Sequence, residues 1–343
     1  MAKWLKFFAI SLFFSSISHT QSWDFNDVSF TEADRRAAVN KGESLEDMPQ
    51  LVYALTNGLE TDVEKFRAIY VWVCKNIKND YGLYAKNKQK RNKFSEDSIK
   101  LEAWNEKFKK KIFKTLRKRR RTICTGYAYT IKVMSQLADI ECEIVNGFAK
   151  TSSGNPDDLK YPNHSWNVVK LNNKWYLCDP TWSSGIQDLE TGRFKFSYNN
   201  GLFLASPELF AINHFPLEQR WFLTEDIPTF NNFLDAPIVY NDAYKVLEDI
   251  NSPTRLYNEI IQEYSLNISL RLKPKISYKT VTFKIDDGSN VKTRLPDSVK
   301  QFDNNLNISY QFTRRGFYDV HLYIDDFLVS TYVVRVKKEG VLD

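Results

Sequence analysis

The chain has 343 residues, 43% hydrophobic and 26% charged, with 24 Phe, 18 Tyr and 8 Trp. That composition excludes global disorder and supplies apolar surface for two packed cores, so two domains are expected. Four cysteines without any Cys-x-x-Cys and four scattered histidines exclude a disulfide scaffold and a zinc site.

Residues 1–22 read as a signal peptide. Lys3 and Lys6 open it, residues 7–17 form an apolar run, and Ser16, Ser18 and Thr20 offer small residues for cleavage. The segment has no cysteine, so no lipoprotein anchor is expected, and a secreted or periplasmic location follows. Nothing later approaches 18 consecutive apolar residues, so no membrane span is expected.

Short helices are expected over 30–39 and 43–56. A stronger one covers 61–77, where Val63, Phe66, Ile69, Tyr70 and Val73 share a face and Asp62 stands in a capping position. A basic insert at 86–92 follows, then a helix in which Phe108, Ile112, Phe113 and Leu116 recur at helical spacing. Between Lys86 and Arg121, 16 Lys/Arg stand against Glu96, Asp97, Glu102 and Glu106, a net of +12 in a chain whose total is +6, so the rest carries −6. The run from Lys107 to Arg121 is therefore apolar on one face and cationic on the other. That face is either simply solvated or attracts an anionic cell-surface polymer. No base-stacking motif accompanies it, so nucleic acid is not an expected partner.

A helix over 124–138 and a strand over 140–147 come next, then a turn-rich loop at 151–158. The segment 165–179 reads as a hairpin turning at Asn172-Asn173, a pair suited to a type I′ turn. Segments 195–204 and 221–233 close the first domain, and 257–264 ends the linker. From about residue 266 the pattern becomes alternating, with strands over 266–272, 280–285, 306–312, 316–324 and 327–336, as in a small β-sandwich. The expected organisation is a signal at 1–22, an α+β core at 23–250 and a β-sandwich at 251–343.

Cys124, His164 and Asp179 stand in settings that suit a nucleophilic triad. Cys124 opens a helix, where unpaired N–H groups and the helix dipole favour a thiolate and could hold an oxyanion. Gly126 allows close backbone approach. A symmetric turn at Asn172-Asn173 puts Trp166 opposite Asp179, so His164, Trp166 and Asp179 share a sheet face. His164 and Asp179 are then diagonal neighbours, with Cβ atoms ~7 Å apart, close enough for a hydrogen bond. A slip of one residue would separate them. Cys178 projects to the other face and reads as core, as do Cys74 and Cys142.

Three motifs resemble those of the transglutaminase-like superfamily of papain-type cysteine enzymes: Cys124-Thr125-Gly126-Tyr127-Ala128, His164-Ser165-Trp166-Asn167 and Asp179-Pro180-Thr181-Trp182. The segments Ala68 to Ile77, Phe203 to Phe210 and Asn213-His214-Phe215-Pro216 resemble its kyphoscoliosis-peptidase branch. The resemblance implies a papain-like core in which a helix carrying Cys packs on an antiparallel sheet carrying His and Asp, followed by a small all-β sandwich. It implies Cys124 as nucleophile, His164 as base then acid and Asp179 as its orienting partner, with Gly126, Tyr127, Trp166 and Trp182 as cleft or support. Thr122 departs from the usual Gly, and Asn79 from the Tyr that precedes Asp80 in the branch. A side-chain oxyanion donor is expected upstream of Cys124, with Tyr81 as a candidate, and His214 is expected to be structural. No Asp-x-Asp-x-Asp-Gly calcium loop is present, so neither metal nor cofactor is expected.

The expected function is an exported Cys-His-Asp enzyme acting on amide bonds of peptides or proteins, as peptidase or acyl transferase. The alternative is a non-catalytic scaffold or binding protein of the cell surface.

Overall fold

A computed structural model describes residues 24–151, 159, 161–188 and 191–339. The expected signal peptide and nearly all of the loop at 151–158 lie outside them.

Three helices come first: α1 (Thr31–Val39), α2 (Met48–Thr56) and α3 (Asp62–Asn76). The cap of α3 is Thr61, in a reciprocal capping box with Glu64, rather than Asp62, which is already helical. The α3 helix is also buried beyond its expected apolar face: Ala68, Val71, Trp72 and Cys74 are fully covered as well. It is the central helix of the domain, enclosed on all sides.

Strand β1 (Lys78–Asn79) pairs in parallel with β2 (Arg121–Thr122). Between them the chain leaves and returns as a helical hairpin, α4 (Tyr81–Lys93) and α5 (Ser98–Arg119). Asp80 and Asp97 cap the two helices. Leu83, Phe108, Ile112 and Ile123, with Trp104 against them, give the hairpin its own small core. The expected basic insert is thus the middle of α4.

Helix α6 (Cys124–Gln136) follows β2 almost directly. The sheet beside it is antiparallel, in the order β5 (Lys174–Cys178), β4 (His164–Leu171), β3 (Cys142–Ala149), β8 (His214–Pro216). Asn172 and Asn173 both have positive φ, 49° and 62°, as a type I′ turn requires, and Leu171 pairs with Lys174 as the symmetric turn dictates. The sheet separates two cores. Val169, Leu171, Tyr176 and Cys178 join the helical core of α1, α2, α3 and α6. Val145, Trp166, Val168 and Leu177 join a cluster that continues into the C-terminal strands.

After β5 the chain forms α7 (Pro180–Ser184), a ribbon of β6 (Gly185–Gln187) and β7 (Phe194–Phe196), α8 (Pro207–Asn213), α9 (Phe230–Asp235), β9 (Ile238–Val239) and α10 (Ala243–Val246). Two sheets then face each other. One has the order β10 (Leu247–Ser252), β12 (Ser265–Leu272), β16 (Asn305–Gln311), β15 (Ser298–Phe302). The other runs β11 (Tyr257–Ile261), β18 (Phe327–Lys337), β17 (Gly316–Ile324), β13 (Val281–Asp286), β14 (Val291–Arg294), with β9 also on β18. Leu266, Ile268, Leu270 and Leu272 point inward from β12, opposite Phe283, Leu322 and Val334 of the second sheet. Tyr257–Ile261, expected to end a linker, is a strand parallel to β18. Among the described residues no helix is long and apolar enough to cross a membrane.

Candidate active site

Cys124 is the first residue of α6, and its N-cap, Ile123, offers no side-chain acceptor. The Gly126 N–H bonds back to Ile123 O at 2.9 Å, so the N–H groups of Cys124 and Thr125 are the ones placed to serve a sulfur or a ligand anion. The residue is 8% exposed. Burial pushes its thiol pKa up, but the His164 hydrogen bond and charge, helped by the Ser165 backbone N–H, outweigh it and the net shift is downward. The other three thiols behave oppositely: burial drives Cys74 and Cys178 well up and Cys142 to about 12. All four are free and buried, so only the local charge separates them.

His164 opens β4, and its Nε2 donates to Asp179 Oδ2 at 2.7 Å. Burial lowers the imidazole pKa, and the Asp179 charge and hydrogen bond, with the sulfur's, overcome it and raise it to about 10. With Nε2 on the carboxylate, Nδ1 is the nitrogen left for the sulfur. Asp179 lies one residue beyond β5, as the N-cap of α7, so the sheet supplies the histidine and the following helix start supplies the carboxylate. Its Oδ1 accepts the backbone N–H groups of Thr181 at 2.8 Å and Trp182 at 3.1 Å. Burial alone would raise this carboxyl, but the His164 charge and the hydrogen bonds hold it far below the ordinary carboxylate range.

The supporting residues divide by role. Gly126 is needed for packing: a Cβ there would stand 1.8 Å from Thr122 Oγ1. Thr122 thus covers the first turn of α6, and its hydroxyl is buried without a hydrogen-bond partner. Tyr127 is fully buried and donates its hydroxyl to Ile77 O at 2.6 Å, tying α6 to the end of α3. Trp166 is fully buried, its ring 6.1 Å from that of His164 and nearly parallel to it. Trp182 is partly exposed and 5.4 Å from the His164 ring, so of these four it is the one placed to meet a ligand.

Tyr81 packs on Phe194, and burial pushes its phenol pKa to about 12. Two residues of α4 were not singled out in the sequence. Tyr84, 36% exposed, has its phenol pKa raised by burial and then by the charge of the Cys124 sulfur, which puts it at the mouth of the site. Arg91 donates to Pro162 O at 3.2 Å, joining α4 to the segment that enters His164. Neither could be found without knowing where the fold places α4.

His214 opens β8 and is fully buried, with Nε2 3.2 Å from Asp179 Oδ2 and Nδ1 3.2 Å from Phe210 O. Ligand atoms of His164, Asp179 and His214 lie within 4.8 Å of one another. Both imidazole nitrogens facing the carboxylate are engaged in hydrogen bonds to it, so the cluster is satisfied without a cation. Chemically, the arrangement is a thiol beside an imidazole that a buried carboxylate keeps protonated, a set able to attack an acyl carbon.

Comparison with known proteins places part of the chain in a family. The sequence model of the transglutaminase-like superfamily matches residues 49–180. Kyphoscoliosis peptidase of Homo sapiens is 31% identical over 54% of this chain and 26% of its own length. The Mus musculus protein of that name is 28% identical over 66% of this chain and 33% of its own. A LIM and transglutaminase domain protein of Caenorhabditis elegans is 24% identical over 66% of this chain and 30% of its own. The chain thus spans about a third or less of these relatives. Among solved structures, the Lin-41 filamin domain covers 26% of this chain at 14% identity and a TM-score of 0.22, which supports no argument. Residues 49–180 of this chain are a domain of the transglutaminase-like superfamily.

Proposed function

We propose that the chain is an exported cysteine enzyme acting on amide bonds of peptides or proteins, as peptidase or acyl transferase. The observation that carries this reading is electrostatic: of four buried thiols only Cys124 is shifted down, by an imidazole that Asp179 holds at 2.7 Å. The Cys124 thiolate attacks the carbonyl carbon, and the N–H groups at the start of α6 receive the oxyanion. As the C–N bond breaks, His164 gives its proton to the departing amine, leaving a thioester on Cys124. Water, deprotonated by His164, resolves the thioester in hydrolysis, and a second amine does so in transfer. The peptidase in the relatives' name favours hydrolysis.

Export rests on residues 1–22, with a secreted or periplasmic location. The hairpin α4–α5 is the proposed contact for an anionic cell-surface polymer. Lys107, Lys111, Lys114 and Lys118 recur every three or four residues on α5, with Lys110 beside them, opposite the buried Phe108, Ile112 and Leu116. That stripe is about 16 Å long at 1.5 Å per residue and ends where β2 leads into Cys124.

The test is the rate of Cys124 alkylation by iodoacetamide against pH. An inflection well below the free-thiol value of ~8.5, abolished in His164→Ala, supports the enzyme. Equal and slow labelling of all four thiols would sink it in favour of a non-catalytic scaffold.

A further inference from the structure

We propose that His214 is a positioning residue of this site: it donates a second imidazole hydrogen bond to Asp179 Oδ2 and takes a share of the charge that oxygen offers His164. The inference rests on Cys124 and His164 being the reacting pair.

Proton counting fixes the tautomer. His214 Nδ1 faces a carbonyl, Phe210 O, and Nε2 faces a carboxylate oxygen, each at 3.2 Å. Both neighbours only accept, and a neutral imidazole has one proton to give. The bond to the carboxylate is charge-assisted and the stronger of the two, so the proton sits on Nε2. Burial disfavours the doubly protonated ring, and although Asp179 opposes this, the net shift of the His214 pKa is downward. The charge of His164 adds to the lowering.

Other groups near the pair are few. His164 enters from β4, Cys124 lies beyond it on α6, and Tyr244 of α10 feels the Asp179 charge. Cys74, Cys178 and Tyr127 feel the same charge and have pKa values raised well above normal. No other cation is among the main influences on Asp179.

The ring cannot drift. It lies on Phe210 at 3.7 Å and 12°, with Trp182 4.5 Å and Trp166 5.1 Å away. Those two tryptophans also flank His164. The two imidazoles therefore divide one carboxylate oxygen: one is charged and works on the sulfur, the other is neutral and steadies the acid. Sharing weakens the pull of Asp179 on His164, which must release its proton to the leaving amine.

The experiment uses the full chain and iodoacetate, an anionic reagent whose rate with Cys124 falls when His164 loses its positive charge. In His214→Phe the upper inflection should rise by about 0.5–1 pH unit, the size of one lost hydrogen bond. In His214→Gln, whose amide can still donate to the carboxylate, it should return to the wild-type value. Unchanged inflections in both folded variants would overturn the proposal and leave His214 a packing residue. If His214→Phe fails to fold, a ¹⁵N spectrum of the wild-type imidazoles decides: a proton on His214 Nε2 supports the proposal, and one on Nδ1 refutes it. That spectrum does not depend on reactivity, so it separates a failure of this inference from a failure of the enzyme reading.

Discussion

Asn167 Nδ2 donates to Ala128 O at 3.0 Å, pinning the strand that begins with His164 to the helix that begins with Cys124. The same amide reaches Glu143 O at 3.2 Å, so one buried side chain joins β4, β3 and α6. Replacing it with Leu keeps the volume but leaves those carbonyls without this donor. Asn167→Leu should cost about 1–3 kcal/mol, the net worth of the two buried hydrogen bonds it removes. Urea unfolding measures the loss, and slower Cys124 alkylation in the folded variant would show that the pin also sets the site.

Gly126 and Thr122 form a second coupled pair. Gly126→Ala should cost about 1–3 kcal/mol by overpacking, since the new Cβ would overlap Thr122 Oγ1. The double variant Thr122→Gly/Gly126→Ala removes the clash and should recover most of the thermal stability lost by the single change. Additive losses in the two variants would refute direct contact as the cause.

Acid stability should carry the mark of Asp179. Its carboxyl pKa is depressed in the folded state, chiefly by His164 against the opposing effect of burial. The stabilisation is therefore complete above the unfolded value of ~3.9 and lost as pH falls toward the depressed folded value. The urea midpoint of the wild type should drop steeply below pH ~4. Asp179→Asn, less stable at neutral pH, should show a shallower drop over the same range.

The cationic hairpin should separate from the chemistry. A Lys110→Glu/Lys114→Glu/Lys118→Glu variant changes only exposed positions of α5. Retention on heparin should be strong and steeply salt-dependent in the wild type and lost in the variant. The Cys124 alkylation rate should stay within about twofold, because at 0.15 M salt screening limits the reach of exposed charges to about 8 Å. Salt-insensitive retention of the wild type would refute polyanion docking.

The hairpin turn offers a stabilising change. Asn173 has φ 62°, where Gly carries no steric penalty, and Asn-Gly is a preferred type I′ pair. Asn173→Gly should be neutral or stabilise by up to about 0.5 kcal/mol, read as a small rise in melting temperature. A clear loss would show that the Asn173 side chain holds the turn in a way its backbone angles do not reveal.

Much of this was legible in the chain because it depends on near neighbours. Helical spacing marked α3, α5 and α6, and the parity of a two-residue turn put His164 and Asp179 on one side of a hairpin. Strands β14 and β15, mostly exposed edge strands, carry little apolar alternation and left no signal. Strand β11 is made by parallel pairing with residues some 75 positions away, a distance over which periodicity carries nothing.

The sequence by itself determined the order of Cys124, His164 and Asp179, and the register of the hairpin, which follows from backbone geometry over a few residues. Only the tertiary structure decided that α4 brings Tyr84 within the influence of the Cys124 charge and sets Arg91 on Pro162. It also decided that His214, 35 residues after Asp179, shares the carboxylate with His164. Burial and charge act through space: which thiol is activated, and which of two histidines is charged, depends on neighbours that the chain brings together only by folding.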